Sequence, residues 1–461
     1  MNPGLPAVDG AVVFLYFALL VTLGFVRSKR RFEDESDYLL AGRKLTLLPF
    51  TASIVSTWYG GVLGVGEFTY RHGLSNWVVF GLPYYAFAIV FAFLLASRIR
   101  LAGVTTIPDR FYSRYGRGAG ILSSILVMIL SSPAPYVLSV GVVVNLLFNL
   151  GPLPSLFLAT FLSLVYIYYG GFRSVVRTDV LQFFLMFLGF SVMVIVAVGE
   201  YGGFSSLKAG LPPLHFTLRG SNTTQYIVVW FFIALWTLVD PGFYQRCAAA
   251  RSPATAKRGI LLSVLFWAIF DFLTLSTGLY ARMALPDLDS PLMAIPSLGM
   301  KVLPPVLLGL FFTGILATIM STIDSLGFIS AITFGRDIIW RNRREKGNAV
   351  TWTRVGLLVT GLASLLLAWL LPSVVKLWYA IGSVAVPGLL LPFLTTFRKG
   401  NAVPGMVWMM GLPTAISLVW FLVGVGAGAE TPKYPLGIEP FYPGLMVSII
   451  WWVVAAIRRE S

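Results

Sequence analysis

Residues 313–325 of this 461-residue chain read Thr-Gly-Ile-Leu-Ala-Thr-Ile-Met-Ser-Thr-Ile-Asp-Ser. They sit inside an apolar run over 303–339, long enough to cross a bilayer as a helix. Within eight positions that run carries Thr318, Ser321, Thr322, Asp324 and Ser325. Positions 318, 321, 322 and 325 recur at i, i+3, i+4 and i+7, so they share one helical face. A row of hydroxyls beside a carboxylate is costly in lipid unless it faces something that needs oxygen. The simplest such partner is a dehydrated alkali cation. Serine and threonine alone are ambiguous, because in membrane helices they also bond the i−4 carbonyl or a neighbouring helix. Asp324 shifts the balance, since an aspartate at membrane depth is a functional hypothesis by default.

The elements that must hold these residues follow from composition. The chain is 57% hydrophobic and 11% charged, whereas soluble domains carry about 25% charged residues. It is therefore expected to be an all-α polytopic membrane protein. The formal net charge of +15 fits basic loops on one side of a membrane, and with no Arg-rich or zinc-finger segment no nucleic-acid partner is expected. One cysteine, Cys247, excludes an intrachain disulfide and any cysteine-based cluster. Two histidines, His72 and His215, are in no ligand-like spacing, which argues against a membrane-embedded enzyme. The first apolar run is too long for a signal-peptide core, and is read as a retained helix.

Thirteen runs are long enough to span: 8–27, 46–69, 76–98, 120–149, 154–172, 178–199, 226–246, 258–284, 303–337, 351–371, 374–396, 403–425 and 437–457. The segments 27–31, 98–117, 173–177, 246–258, 336–346, 398–399 and 458–459 are basic and follow every odd-numbered run. They therefore fall on one side, which places the N-terminus outside and the C-terminus inside a plasma membrane. Segment 105–116 is amphipathic and expected to lie along the inner membrane face.

Two runs are expected to be broken. Ser56-Thr-Trp-Tyr-Gly-Gly61 interrupts the second run, and Asp240-Pro-Gly242 the seventh. Adjacent glycines loosen a helix and expose carbonyls; proline removes a donor. Runs 2–6 and 7–11 then form two five-helix units of opposite orientation, each opening on a broken helix. Such matched breaks are a sequence pointer to the central site of a transporter. The expected division is an N-terminal extra helix and loop (1–45), a first repeat (46–200), an outer loop (201–225), a second repeat (226–397) and C-terminal helices (398–461).

Several stretches resemble the sodium/solute symporter family. Gly170-Gly171 followed by Thr178-Asp179 and Gln182 is similar to its most recognisable signature. The stretches 41–45 and 53–61 resemble its first core helix, and 106–109 and 245–258 its cytoplasmic loops. Residues 320–325 resemble its sodium-binding helix. The matches cover runs 2 through 9; Ile167 departs from the small or hydroxyl residue usual there. The resemblance implies a leucine-transporter-type fold of two inverted repeats and sodium-coupled solute entry. It implies a main sodium site from Ser56, Tyr59, Thr318, Ser321 and Thr322, carbonyls of the first core helix meeting oxygens of the eighth. A further sodium site is implied at Asp179 with Ser321, Asp324 and Ser325, where Asp324 departs from the family's serine. Thr178-Asp179 can alternatively be read as the N-cap of the sixth run.

The solute is expected near the midplane, between the breaks, against Thr57, Trp58, Gly60, Gly61, Tyr84, Tyr85, Tyr136, Trp236, Thr237 and Asp240. With abundant aromatics and no intramembrane arginine at that place, a small organic molecule is expected. Glu67 is read as a partner of Arg71, and Asp271 as a helix-to-helix hydrogen-bonding group outside the site. The expected ligands are thus sodium and a small-molecule solute, in a lipid-embedded monomer. Rival readings are a proton-coupled transporter with Asp179 or Asp324 as carrier, and a sensor or channel-like protein on the same fold.

Overall fold

Backbone polar groups in lipid must be satisfied internally, which a chain of long apolar runs achieves by closing into helices. The computed structural model describes residues 5–25, 35–371, 373–398, 402–426 and 434–460. Each of the thirteen apolar runs contains helix among the described residues, though several are interrupted. Among the described residues, ten helices are long and apolar enough to cross a membrane. The runs outside that set are instructive. Run 46–69 is split into two short helices, Leu47–Trp58 and Val62–His72. Run 437–457 has only a shorter apolar stretch, Phe441–Ala455. Run 154–172 joins the next one.

That junction corrects the sequence reading. No basic loop separates the fifth and sixth runs, because helical backbone extends over Pro152–Tyr201, interrupted only at Gly171 (φ 58°, ψ −158°). A single left-handed glycine turns the chain where a five-residue loop was expected. A Cβ at 171 would lie 2.7 Å from the Tyr38 carbonyl oxygen, so packing as well as φ demands glycine. Arg173, Arg177 and Asp179 are therefore helical residues, and Asp179 is no N-cap. The basic stretch 27–31 lies outside the described residues.

Both predicted breaks are present. Tyr59–Gly61 separates the halves of the first broken helix. The second passes from Thr224–Ile233 through a 3-10 segment, Ala234–Val239, to extended Asp240 and then Pro241–Ala249.

The hydroxyl-bearing helix, Leu307–Ile332, runs through the centre. It packs on Pro152–Tyr201, Ala7–Phe25, Leu47–Trp58 and Ala349–Leu370. Its entry is pinned by Asp9, whose Oδ1 accepts from Val306 N (2.8 Å) and Gly309 N (2.7 Å). These are first-turn donors with no intrahelical acceptor. At the other end Arg336 pairs with Glu35, Asp109 (3.0 Å) and Asp337 (2.6 Å). Asp109 also closes a capping box with Thr106 at the start of Ile107–Leu130. The central helix is thus tied at both ends to elements far away in sequence.

Candidate cation and solute site

Thr318, Ser321, Thr322 and Ser325 are fully buried, on the face of Leu307–Ile332 turned toward the first break. Ser321 Oγ donates to Asp179 Oδ1 at 2.6 Å and lies 2.8 Å from Ser56 Oγ. Thr322 Oγ1 donates to the Thr57 carbonyl at 2.7 Å. Thr318 behaves differently: its hydroxyl donates back to Gly314 O at 2.7 Å, which leaves its carbonyl as the oxygen facing Thr322, at 3.4 Å. The close approach depends on Gly60, where a Cβ would fall 2.3 Å from Thr322 Oγ1. Ser56, Thr57, Thr318, Ser321 and Thr322 thus converge between the broken helix and the central helix. Neutral hydroxyl and carbonyl oxygens of this kind suit a hard monovalent cation. The Tyr59 carbonyl, the oxygen expected at the cation site, accepts from Val62 N at 3.0 Å, while the Tyr59 hydroxyl bonds Trp267 O (2.8 Å) and Asp271 Oδ1 (2.9 Å).

Asp179 joins a second cluster with a member that the sequence reading placed in a loop. Arg246 is wholly buried, with Nη2 3.5 Å from Asp179 Oδ2. Its Nε donates to Ser53 Oγ at 3.1 Å, Nη2 to Thr57 Oγ1 at 3.1 Å and to Ser325 Oγ, and Nη1 to Gln245 Oε1 at 3.2 Å. Ser53 also donates to Asp179. An intramembrane arginine is therefore present, contrary to expectation. The reason lies in packing between elements distant in sequence. The break at Asp240 restarts the helix at Pro241, Arg246 on it turns toward Ser53, Asp179 and Ser325, and the helix's last turn is covered by the segment around Leu45. Leu45 N donates to Ala249 O (3.1 Å), and Arg251 N to Leu45 O (2.8 Å). The signal in the sequence was an arginine flanked by small apolar residues, Cys247 to Ala250, and not by further charge. Asp324, also buried, is adjacent to Ser325 but turned about 100° around the helix. It faces the N-terminal helix, within electrostatic reach of Tyr16.

Beside these clusters lies a cavity of about 110 Å³. Of the ten predicted lining residues, Thr57, Trp58, Gly61, Tyr84, Tyr136, Trp236 and Asp240 line it; Gly60, Tyr85 and Thr237 do not. Gly61 gives way to Trp378, whose ring would meet a Cβ there at 1.7 Å. The sequence reading missed Phe80, Phe243, Arg246, Trp378 and Asp271 as lining groups. Asp271 does make the expected helix-to-helix bonds, accepting from Tyr59 and Tyr85, yet it also borders the cavity. Asp240 caps Pro241–Ala249 through Phe243 N at 2.8 Å. Glu67 and Arg71 pair at 3.2 Å, as expected, away from the site.

The model of the sodium:solute symporter family matches residues 38–410. A sodium/proline symporter of Staphylococcus aureus (strain NCTC 8325 / PS 47) is 24% identical over 97% of this chain and 92% of its own length. Among solved structures, a Na+-coupled sialic acid symporter in a substrate-bound outward-open state aligns with a TM-score of 0.76 at 18% identity, covering 98% of this chain and 97% of the other. A nucleobase-cation-symport-1 family transporter aligns at 0.61 and 12% identity, over 92% and 95% of the two chains. The fold is the one these transporters share.

Proposed function

The chain belongs to the sodium:solute symporter family, and on that premise we propose that it imports a small organic solute with sodium by alternating access. It is an integral membrane transporter and not an enzyme. The observation that carries the sodium reading is the meeting of Ser56, Thr57, Ser321 and Thr322 where Gly60 lets two helices touch. In this reading sodium enters from outside and bridges the first broken helix to Leu307–Ile332 through the carbonyl oxygens of the break and of Thr318 with the Ser321 and Thr322 hydroxyls. Solute then occupies the aromatic cavity, the helices rock, and the ion leaves to a sodium-poor interior. The thirteen-span topology with the N-terminus outside and action as a monomer belong to the same proposal. An inward-moving sodium charge gains about 2.3 kcal/mol per 100 mV, enough for roughly 50-fold accumulation.

The test is binding of radiolabelled sodium to the purified protein. Displacement by unlabelled sodium but not by potassium, and loss of binding in Thr322→Ala, is the expected result. No saturable sodium binding, together with solute-dependent proton entry into liposomes, would move the assignment to proton coupling.

A further inference from the structure

The cavity lining holds more carboxylate than cationic groups. Its ionisable lining groups are Asp240, Asp271 and Arg246, with the tyrosines. Arg246 is already committed: its guanidinium is paired with Asp179 and bonded to Ser53, Thr57 and Ser325. Asp240 lies in the field of the same guanidinium, so one cation serves both Asp179 and Asp240, and Asp271 adds a further carboxylate. Asp271 is held by two tyrosine hydroxyls, from Tyr59 and Tyr85, and among the described residues no basic group contacts it. Asp240 spends one oxygen on the cap of Phe243 N and remains part-exposed to the cavity. The rest of the wall is aromatic. Trp58 packs on Tyr84 with centroids 5.1 Å apart and on Phe243 at 5.7 Å. Tyr136 and Trp378 stand 6.2 Å apart and are joined by a hydrogen bond from Trp378 Nε1 to the Tyr136 hydroxyl.

Aromatic faces attract cations through their quadrupole, and tryptophan does so best. A buried carboxylate is costly until it meets a positive partner. An anionic solute would add to the excess of carboxylate over guanidinium charge, and a neutral sugar would leave that excess uncompensated. Building on the symporter reading, we propose that the solute carries a cationic nitrogen, an amine or quaternary ammonium, placed between Asp240 and Asp271 against Trp58 and Trp378.

The experiment is a thermal-shift series on the purified full chain in sodium chloride, with potassium chloride as the reference salt. The probes are choline and putrescine, compared with glucose and succinate. At least one nitrogen cation is expected to raise Tm in sodium, with glucose and succinate inert. Asp240→Asn is the informative variant, because asparagine caps a helix as well as aspartate and only the charge is lost. It should keep the sodium-induced rise in Tm and weaken the cation response tenfold or more; Asp271→Asn should do likewise. A shift by glucose or succinate, no shift by any cation, or an unchanged cation response in both variants would overturn the proposal. If sodium itself fails to raise Tm of the wild type, the sodium reading is what fails, and the cation series in potassium still decides the solute class.

Discussion

Arg246 Nη2 stands 3.5 Å from Asp179 Oδ2, and neither side chain is exposed. The pair ties the second half of one broken helix to the long helix Pro152–Tyr201, with Ser53 of the other broken helix between them. Removing one partner of a buried pair leaves an uncompensated charge and costs about 3–5 kcal/mol. Arg246→Met and Asp179→Asn should each lower thermal stability by that order. The double variant should be much less than additive, because neither charge is then left alone. Additive losses in the double-mutant cycle would mean that the two groups are not acting on each other.

The glycines of the first break should tolerate nothing larger. In Gly61→Ala the new methyl would fall within 1.7 Å of Trp378, and in Gly60→Ala within 2.3 Å of Thr322 Oγ1. Overpacking of this kind costs about 1–3 kcal/mol or more. Gly60→Ala should also blunt the sodium response, since it pushes away a hydroxyl of the cation site. Gly10→Ala, with nothing within 4 Å of the new atom, is the matched control and should be neutral or slightly stabilising. Thermal midpoints of the three variants check this; equal losses in all three would contradict it.

Asp9 anchors the central helix from the N-terminal helix, accepting from Val306 N and Gly309 N. Val306 itself has φ 72°, a costly conformation for a β-branched residue. Asp9→Ala should cost about 1–2 kcal/mol, as for other lost caps. Asp9→Asn should recover most of it. Stability of the two variants against wild type is the readout, and an inert Asp9→Ala would show that the cap carries no weight.

Much of this arrangement was legible in the sequence, and the exceptions have physical causes. The i, i+3, i+4, i+7 hydroxyls and the two breaks were readable because helical periodicity and Gly or Pro chemistry are local. Arg246 was not, because its burial depends on Ser53, Asp179 and Ser325, which stand on three other helices distant in sequence. The turn at Gly171 was read as a loop because Arg173 and Arg177 looked like solvent-facing charge. Arg173 does keep a solvent-facing side chain, 42% exposed, but it stands on helical backbone and pairs with Asp37. Trp378 and Asp271 entered the cavity wall from helices whose facing no short-range pattern reveals. Thr318, Ser321 and Thr322 were chosen as a set by spacing, yet Thr318 spends its hydroxyl on Gly314 O.

That last difference sharpens the test of sodium binding. The decisive measurement is Tm in sodium chloride against potassium chloride at equal ionic strength, for wild type, Thr322→Ala and Thr318→Ala. A ligand that binds only the folded state stabilises it by about 2.7 kcal/mol at a hundred times its Kd. Wild type should melt higher in sodium. Thr322→Ala should lose that difference, and Thr318→Ala should keep most of it, because its carbonyl and not its hydroxyl faces the site. Identical midpoints for wild type in the two salts would contradict a sodium site between the first break and the central helix.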